Sequence, residues 1–309
     1  MTSGSTTTLA YVRLWVIVRT ELEMTDLSQA VLLVSCPDRP GIVARLASVV
    51  HEMGWNIVQV DQSVDAEHGD FRMRMVLEGS NASLIGSEFT SRFETLAIEE
   101  KMTISLHPRE ERPRLAIFCS KEPHCLQDLL QRHASGELAC EIPLIISNHE
   151  DLRSLSEFFE VPFVHVPNDA NRRQHAEATL EALLEEHAID LIVLARYMQI
   201  ISPGFVSNWP ERIINIHHSF LPAFAGASPY RQAHERGVKL IGATAHYVTA
   251  ELDAGPIISQ DVLECSHRDG VNDLARKGRD VERNTLSRAV RWSIERRLMV
   301  QGDRVVVFG

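Results

Sequence analysis

The chain has 309 residues, of which 44% are hydrophobic and 24% are charged, and its net charge at pH 7 is −11. These fractions are typical of a soluble globular protein, and the length is enough for two domains. No block of lysine or arginine supplies the basic surface that a nucleic acid needs, so we expect no DNA or RNA partner. The five scattered cysteines predict neither a disulfide framework nor a Cys-pair metal site. They favour a reducing compartment, the cytoplasm.

The amino terminus differs from the rest of the chain. Residues 9–18 are apolar, but about ten residues interrupted by Arg13 are too few to span a bilayer, so we expect no membrane anchor. The segment also lacks a small-residue cleavage site followed by a Cys-paired domain, which disfavours a signal peptide. We interpret residues 1–28 as a disordered leader or an extension from an upstream start.

Residues 29–107 show the pattern of a small α+β domain. Alternating and β-branched runs predict strands, and apolar residues at helical spacing predict two helices between them. The predicted strands cover 30–35, 56–64, 71–77 and 102–106, and the predicted helices cover 41–53 and 84–101. This order, βαββαβ, is typical of a ferredoxin-like domain.

A charged, proline-bounded linker over 108–113 separates this domain from a second one over 114–309, in which strands and helices alternate. Predicted strands cover 115–119, 143–147, 163–166, 191–194, 212–216, 239–248, 256–264 and 304–308. Predicted helices cover 124–134, 151–159, 172–187, 203–208 and 271–300. The alternation indicates a Rossmann-like, mostly parallel sheet covered on both faces. Ligands of such sheets bind outside the carboxyl ends of the strands.

Two polar residues stand at the end of the predicted strand over 212–216. Asn215 and His217 are two positions apart, so their side chains leave the same face of an extended chain. Asp253 lies in a turn-forming stretch that is able to fold back over them. An amide donor, an imidazole and a carboxylate brought together stabilise an oxyanion, move a proton and orient the imidazole. We therefore predict that these three residues form a catalytic trio for chemistry at a carbonyl carbon.

Several further motifs resemble one known superfamily. They are Ser120-Lys121-Glu122-Pro123-His124-Cys125-Leu126, Leu194-Ala195-Arg196-Tyr197-Met198, Asn215-Ile216-His217-His218-Ser219-Phe220-Leu221-Pro222, Phe224-Ala225-Gly226-Ala227 and Ile241-Gly242-Ala243-Thr244-Ala245-His246-Tyr247. Together they are similar to the formyl-folate transferases and hydrolases, and within that superfamily to the formyltetrahydrofolate deformylases. The likeness runs from about residue 30 to the end of the chain, and its amino-terminal part resembles an ACT domain, a module that senses small molecules.

The resemblance implies hydrolysis of 10-formyltetrahydrofolate to formate and tetrahydrofolate, which balances the one-carbon pool and supplies formate for purine biosynthesis. It implies that Asn215 donates to the oxyanion, that His217 protonates the departing N10, and that Asp253 orients the attacking water and holds His217. It implies no cofactor and no metal. The fourteen histidines include no convincing His-x-x-x-His pair, and the adjacent His217 and His218 should point to opposite faces.

Two alternatives remain open at this point. One is a formyltransferase that uses an amine acceptor of the glycinamide ribonucleotide type, and the other is a catalytically decayed folate or amino-acid sensor. Such transferases carry a Gly-rich phosphate loop after the first strand, whereas this chain has Ser120-Lys121-Glu122-Pro123-His124 there. The missing phosphate loop disfavours the transferase, and the intact trio disfavours the decayed sensor.

The resemblance also implies binding sites for small molecules. Segments 196–201 and 250–255 match the lining of a folate pocket, and we predict substrate contacts from Met198, Gln199, Ile200, Ile201, His218, His246 and Leu252. Gln199 stands where many relatives carry arginine. The loop Asp38-Arg39-Pro40-Gly41 matches the place where ACT domains often bind an amino acid, for which we consider glycine or methionine. Because such domains usually pair with one another, we expect a homo-oligomer.

Overall fold

The computed structural model describes residues 27–80, 87–168, 172–222 and 229–309. Three sequence-based predictions therefore lie wholly or partly outside the described residues. They are the leader over 1–28, the start of the helix over 84–101, and the motif Phe224-Ala225-Gly226-Ala227. The chain divides into two compact units, one ending at Glu111 and one beginning at Arg112.

The first unit has the predicted βαββαβ order. Its elements are β1 (Leu27–Pro37), α1 (Ile42–Glu52), β2 (Asn56–Asp65), β3 (Asp70–Ser80), α2 (Ser87–Glu100) and β4 (Thr103–Pro108). They form an antiparallel sheet in the order β2-β3-β1-β4. Alternate residues of β1 and β3 share one core with the apolar stripe of α1, as period-2 and helical spacing require.

The second unit alternates strands and helices as far as β10. Its elements are β5 (Arg114–Cys119), α3 (His124–Ala134), β6 (Glu141–Ser147), α4 (Arg153–Phe158), β7 (Phe163–His165), α5 (Arg173–Glu186), β8 (Leu191–Ala195), α6 (Pro203–Asn208), β9 (Ile213–His217), α7 (Pro229–Arg236), β10 (Leu240–Tyr247), β11 (Ile257–Glu264), α8 (Val271–Ile294), β12 (Leu298–Gln301) and β13 (Arg304–Val307). None of the helices in the described ranges combines the length and apolar character needed to cross a membrane.

The nine-stranded sheet of this unit has the order β12-β13-β11-β10-β9-β8-β5-β6-β7. Neighbours from β9 to β7 are parallel, whereas β10 runs antiparallel to β9. Successive residues of β5 enter different cores, Leu115 and Ile117 on one face and Ala116 and Phe118 on the other. The predicted parallel sheet covered on both faces is therefore confirmed.

This topology places the functional segments at one edge. Because β5, β8 and β9 are adjacent and parallel, their carboxyl ends meet there, at Cys119, Ala195 and His217. The antiparallel β10 brings its own residues alongside the end of β9, with His246 opposite Asn215. The edge is the place where open α/β sheets bind their ligands.

Two details of the prediction are wrong. The last helix ends at Ile294 rather than at residue 300, because Arg296 takes a left-handed backbone (φ 54) and the chain then enters the β12–β13 hairpin. Met299 and Val300 therefore belong to a strand that was read as the end of the helix. Helix α7 was not predicted, since only eight residues form it and they carry almost no apolar stripe.

Candidate active site

The predicted trio converges at the end of β9. Asp253 follows β10 in a turn, with a left-handed backbone (φ 55), and its Oδ2 lies 3.3 Å from Nδ1 of His217. His217 is buried, and its other ring nitrogen, Nε2, has no hydrogen-bond partner among the described residues. The pKa of Asp253 is lowered, chiefly by the hydrogen bond from His217. A carboxylate therefore holds Nδ1–H and leaves Nε2 as the ring nitrogen available to a reactant.

Asn215 is oriented by His246. Nδ1 of His246 lies 2.8 Å from the carbonyl oxygen of Tyr247, which only accepts, so Nδ1 carries the proton. Nε2 of His246 is then an acceptor, and Nδ2 of Asn215 donates to it at 3.2 Å. Burial lowers the pKa of His246, which keeps this ring neutral. The pairing fixes which way the Asn215 amide faces and leaves its second N–H for an oxyanion.

We expect His246→Leu to lower kcat by about tenfold to a hundredfold, because the Asn215 amide loses the partner that orients it. The measurement is the steady-state rate of the reaction that the resemblance implies, hydrolysis of 10-formyltetrahydrofolate. The same substitution at His175, an exposed residue of α5, is the matched control and should leave the rate unchanged. A normal rate in His246→Leu would show that Asn215 is oriented by something else.

A glycine allows the Asp253 turn to close on this network. A Cβ atom at Gly255 would lie 1.8 Å from the carbonyl oxygen of Tyr247, the atom that accepts from His246. Only a residue without a side chain fits so close to that backbone. The segment Asp253-Ala254-Gly255-Pro256 therefore supplies the carboxylate that pairs with His217, and its glycine leaves room for the carbonyl group that accepts from His246.

The predicted folate-lining residues lie in four places: Met198 to Ile201 follow β8, His218 follows β9, His246 is in β10, and Leu252 precedes Asp253 in its turn. Met198, Ile200 and Leu252 expose 56%, 54% and 66% of their surface, so these three apolar side chains lie outside the core. Gln199 and Ile201 are half-buried. Exposed apolar side chains flanking a polar set are typical of a small-molecule pocket.

Ser120, a residue without a predicted role, fixes the backbone of this lining segment at Met198. Oγ of Ser120 accepts a hydrogen bond from the backbone N–H of Met198 at 3.0 Å and donates to Oδ1 of Asn148 at 2.7 Å. Ser120 and Asn148 are both buried and follow β5 and β6. The quoted motif beginning at Ser120 was a signal for this role, although sequence alone does not show what the hydroxyl contacts.

We expect Ser120→Ala to raise the KM for 10-formyltetrahydrofolate, the substrate that the resemblance implies, by about tenfold with kcat nearly unchanged, because Oγ no longer accepts from the Met198 N–H. Steady-state kinetics on the full chain measure both parameters. Ser207→Ala, at an exposed position of α6, is the control. A fall in kcat at unchanged KM would contradict a role in positioning the lining segment.

A second polar cluster, which sequence analysis did not find, surrounds the buried carboxylate of Glu282. Glu282 of α8 is only 1% exposed, and its Oε2 lies 2.8 Å from Nε2 of His124 and 3.4 Å from Nε of Arg196. The hydroxyl of Tyr230 donates to its other oxygen, Oε1. We call these four residues, His124, Arg196, Tyr230 and Glu282, the Glu282 cluster. Burial would raise the pKa of Glu282, but the hydrogen bond from His124, the charge of Arg196 and the Tyr230 hydroxyl hold it below its usual value.

His218 connects the two groups. Its ring centroid lies 5.2 Å from that of His217 and 6.2 Å from that of Tyr230. The prediction that His217 and His218 point to opposite faces is wrong, because β9 ends at His217 and the chain bends there. Burial, and then the positive charge of Arg196, lower the pKa of His218 to about 4. His218 is therefore neutral at pH 7.

Two protein families match the chain: formyl transferase over residues 113–290 and ACT domain over residues 30–83. A formyltetrahydrofolate deformylase from Synechocystis sp. is 52% identical over 279 residues, which cover 90% of this chain and 98% of the relative. This chain belongs to the formyltetrahydrofolate deformylase family. A deformylase of the same name from Bacillus subtilis is 48% identical and covers 90% of this chain and 93% of the relative.

Solved structures agree with this membership. The formyltetrahydrofolate deformylase from Pseudomonas syringae matches with a TM-score of 0.88 and 41% identity, covering 96% of this chain and 100% of that one. Glycinamide ribonucleotide transformylase 1 from Symbiobacterium toebii matches with a TM-score of 0.61 and 32% identity, covering 64% of this chain and 95% of that one. The family and fold predicted for this deformylase-family chain are confirmed, and the roles of its individual residues stay predictions.

Proposed function

We propose that this chain hydrolyses 10-formyltetrahydrofolate to formate and tetrahydrofolate. The observation that carries the proposal is the trio at the end of β9, in which Asp253 pairs with His217 and the amide of Asn215 donates to His246. The chain is also 44–52% identical to formyltetrahydrofolate deformylases over at least 90% of its length. The activity supplies formate, which purine biosynthesis consumes, and it balances the one-carbon pool. The free thiols of all five cysteines support a cytoplasmic location.

Each member of the trio has a step that its surroundings allow. A water oxygen bonds to the formyl carbon, and the carbonyl oxygen becomes an oxyanion that the free N–H of Asn215 stabilises by roughly 3–4 kcal/mol. The Asp253 carboxylate orients this water and keeps the His217 ring in place. Nε2 of His217 takes one proton from this water as the water attacks, and it gives that proton to N10 as the bond from carbon to N10 breaks. The second proton of the water leaves with formic acid, which ionises to formate. Formate and tetrahydrofolate leave.

The test is formate and tetrahydrofolate release from 10-formyltetrahydrofolate by the full chain without an added amine. We expect equal amounts of both products and loss of both in His217→Asn. Absence of formate until an amine acceptor is added would favour the transferase alternative instead. Tetrahydrofolate would then appear together with a formylated amine.

We infer that hydrolysis needs no metal and no cofactor, since the trio accounts for each proton and for the oxyanion. Potential ligand atoms of His124, Cys125 and Glu282 lie within 4.8 Å of one another. Glu282 is, however, already paired with a guanidinium, a phenol and an imidazole, and burial raises the pKa of Cys125 well above its usual value, which disfavours the thiolate. Turnover should therefore be unchanged after exhaustive treatment with a chelator.

We propose that the ACT domain binds an amino-acid effector, glycine or methionine, beside Gly41. A cavity of about 350 Å³ lies there, lined by Asp38, Arg39, Gly41, Ile42, Val43, Ala44, Gln62, Val64 and Phe71. Gly41 takes a left-handed backbone (φ 94) before α1, and Nη2 of Arg39 donates to Oε2 of Glu100 at 2.8 Å. Titration of the full chain with glycine and with methionine should show binding that Ala44→Trp removes and that Ala134→Trp, at an exposed position of α3, retains.

We also propose that the chain forms a homo-oligomer through its first unit. Strand β2 is an edge of the four-stranded sheet and exposes 50% of Val58, 42% of Val60 and 45% of Val64. An exposed apolar edge strand is a ready surface for pairing with another chain. Analytical ultracentrifugation should give a mass above that of one chain, and Val60→Lys should lower it.

A further inference from the structure

The Glu282 cluster is assembled from four separate parts of the second unit. His124 is the first residue of α3, Arg196 follows β8, Tyr230 is in α7 and Glu282 is in the middle of α8. His124 and Glu282 are separated by 158 residues in sequence. The four side chains therefore meet at one carboxylate through the tertiary fold and not through local sequence.

The cluster has an energetic cost that packing alone would not require. A carboxylate that is 1% exposed gives up its hydration, and well-packed apolar residues are often at least as stabilising as a buried ion pair. The compensation is also incomplete, because Nε and Nη1 of Arg196 and Nδ1 of His124 have no hydrogen-bond partner among the described residues. A buried polar group kept at such a cost calls for a functional explanation.

Two residues at the cluster have a backbone conformation or a residue type that is unfavourable for their local structure. Arg196 has a φ of 62, in the left-handed region that a side chain other than glycine or asparagine rarely adopts. Gly278 lies one turn before Glu282 in α8, and a Cβ there would come within 1.9 Å of the Tyr230 hydroxyl. A glycine inside a helix destabilises the helix, but only glycine leaves room for the Tyr230 hydroxyl at this position.

The cluster adjoins the trio on one side and the folate-lining segment on the other. Tyr230 contacts His218, which contacts His217, and the charge of Arg196 reaches the His218 ring. Arg196 is also the first residue of the predicted lining segment over 196–201. The phenol of Tyr230 is therefore separated from His217 only by the His218 ring, and the guanidinium of Arg196 acts on that same ring.

We propose that the Glu282 cluster decides which nucleophile reaches the formyl group, by filling the space that an amine acceptor would occupy and leaving room only for water. This inference rests on the proposed hydrolysis, and it assigns to the cluster the preference for water over an amine. An arginine has donors but no acceptor, so it offers nothing to the N–H groups of an amine and repels an ammonium. The same fold occurs in a glycinamide ribonucleotide transformylase, so the scaffold itself does not exclude an acceptor.

The test measures how the formyl group is divided between water and an amine. The full chain is incubated with 10-formyltetrahydrofolate and glycinamide, and formate and N-formylglycinamide are counted by mass spectrometry. Wild type should give formate alone. Arg196→Gly/Glu282→Gln, which removes both charges and suits the left-handed backbone, should raise the ratio of formylated amine to formate by about tenfold or more. Tyr230→Ala should raise it independently.

The ratio does not depend on the overall rate, so partial loss of activity does not obscure it. Arg296→Gly is the matched control, because Arg296 also has a left-handed backbone (φ 54) but lies beyond the end of α8. An unchanged ratio in both cluster variants, or loss of both products in both, would overturn the proposal. Formylated amine from the wild type would instead contradict hydrolysis as the proposed function.

Discussion

Asp253→Asn lowers kcat by about 10³–10⁴-fold while 10-formyltetrahydrofolate still binds; this is the largest effect that we expect. The amide is uncharged and can turn its NH2 towards Nδ1 of His217, so the ring loses the acceptor-only carboxylate that sets its tautomer, and the water loses its orienting charge. Asparagine accepts the left-handed backbone at this position (φ 55), so the turn should persist. The measurement is formate release under saturating substrate, with binding followed by titration.

The control for this variant is its stability across pH. The pKa of Asp253 is lowered in the folded chain, so the carboxylate stabilises the fold above the pKa of an unfolded aspartate, about 3.9. That stabilisation is lost as pH falls through the folded value. Urea unfolding should therefore show a wild-type advantage at pH 7 that shrinks below about pH 3.9. Near-normal turnover in a folded Asp253→Asn protein would remove Asp253 from catalysis.

Asn215→Ala lowers kcat by about 10²–10³-fold with little change in KM, because its second N–H contributes only when the oxyanion forms. Its first N–H is held by His246, so the effect should exceed that of His246→Leu, which removes the orientation but keeps the donor. The measurement is kcat and KM for both variants and the double variant. A larger fall in kcat in His246→Leu than in Asn215→Ala would contradict this account, because it would make His246, and not Asn215, the more important residue for oxyanion stabilisation.

Asn208→Ala is the matched control for the Asn215 substitution. Asn208 ends α6 and donates to Oε1 of Glu181 at 2.7 Å in an exposed pair. Losing that pair should change stability by less than about 1 kcal/mol and leave kcat unchanged. A comparable fall in kcat in both variants would point to general loss of structure rather than to a missing oxyanion donor.

The placement of Asn215, His217 and Asp253 was largely predictable because most of its signals are local. Asn215 and His217 alternate on one short strand, and strand periodicity alone places them on one face. Asp253 lies in a turn whose glycine and proline are visible in sequence. Strand pairing alone does not bring Asp253 to His217, because Tyr247 at the end of β10 lies opposite Ile214. The turn after β10 has to fold back over the sheet, and strand composition does not reveal how far it does so.

The Glu282 cluster was not predictable, because its residues are far apart in sequence. Its carboxylate and its imidazole partner are 158 residues apart, and no sequence pattern links them. One signal existed: Glu282 falls on the same helical stripe as the buried Gly278 and Leu286, where a charge is out of place. Helix α7, which supplies Tyr230, lacks the apolar periodicity by which helices are found.

The most direct test of the account is the origin of the oxygen in the product. The full chain is given 10-formyltetrahydrofolate in H₂¹⁸O with chelator and without an amine, and the formate is analysed by mass spectrometry. Attack by water at the formyl carbon puts one solvent oxygen into each formate and releases one tetrahydrofolate with it. Failure to release labelled formate, with tetrahydrofolate appearing only when an amine takes the formyl group, would contradict the assignment of this chain as a hydrolase.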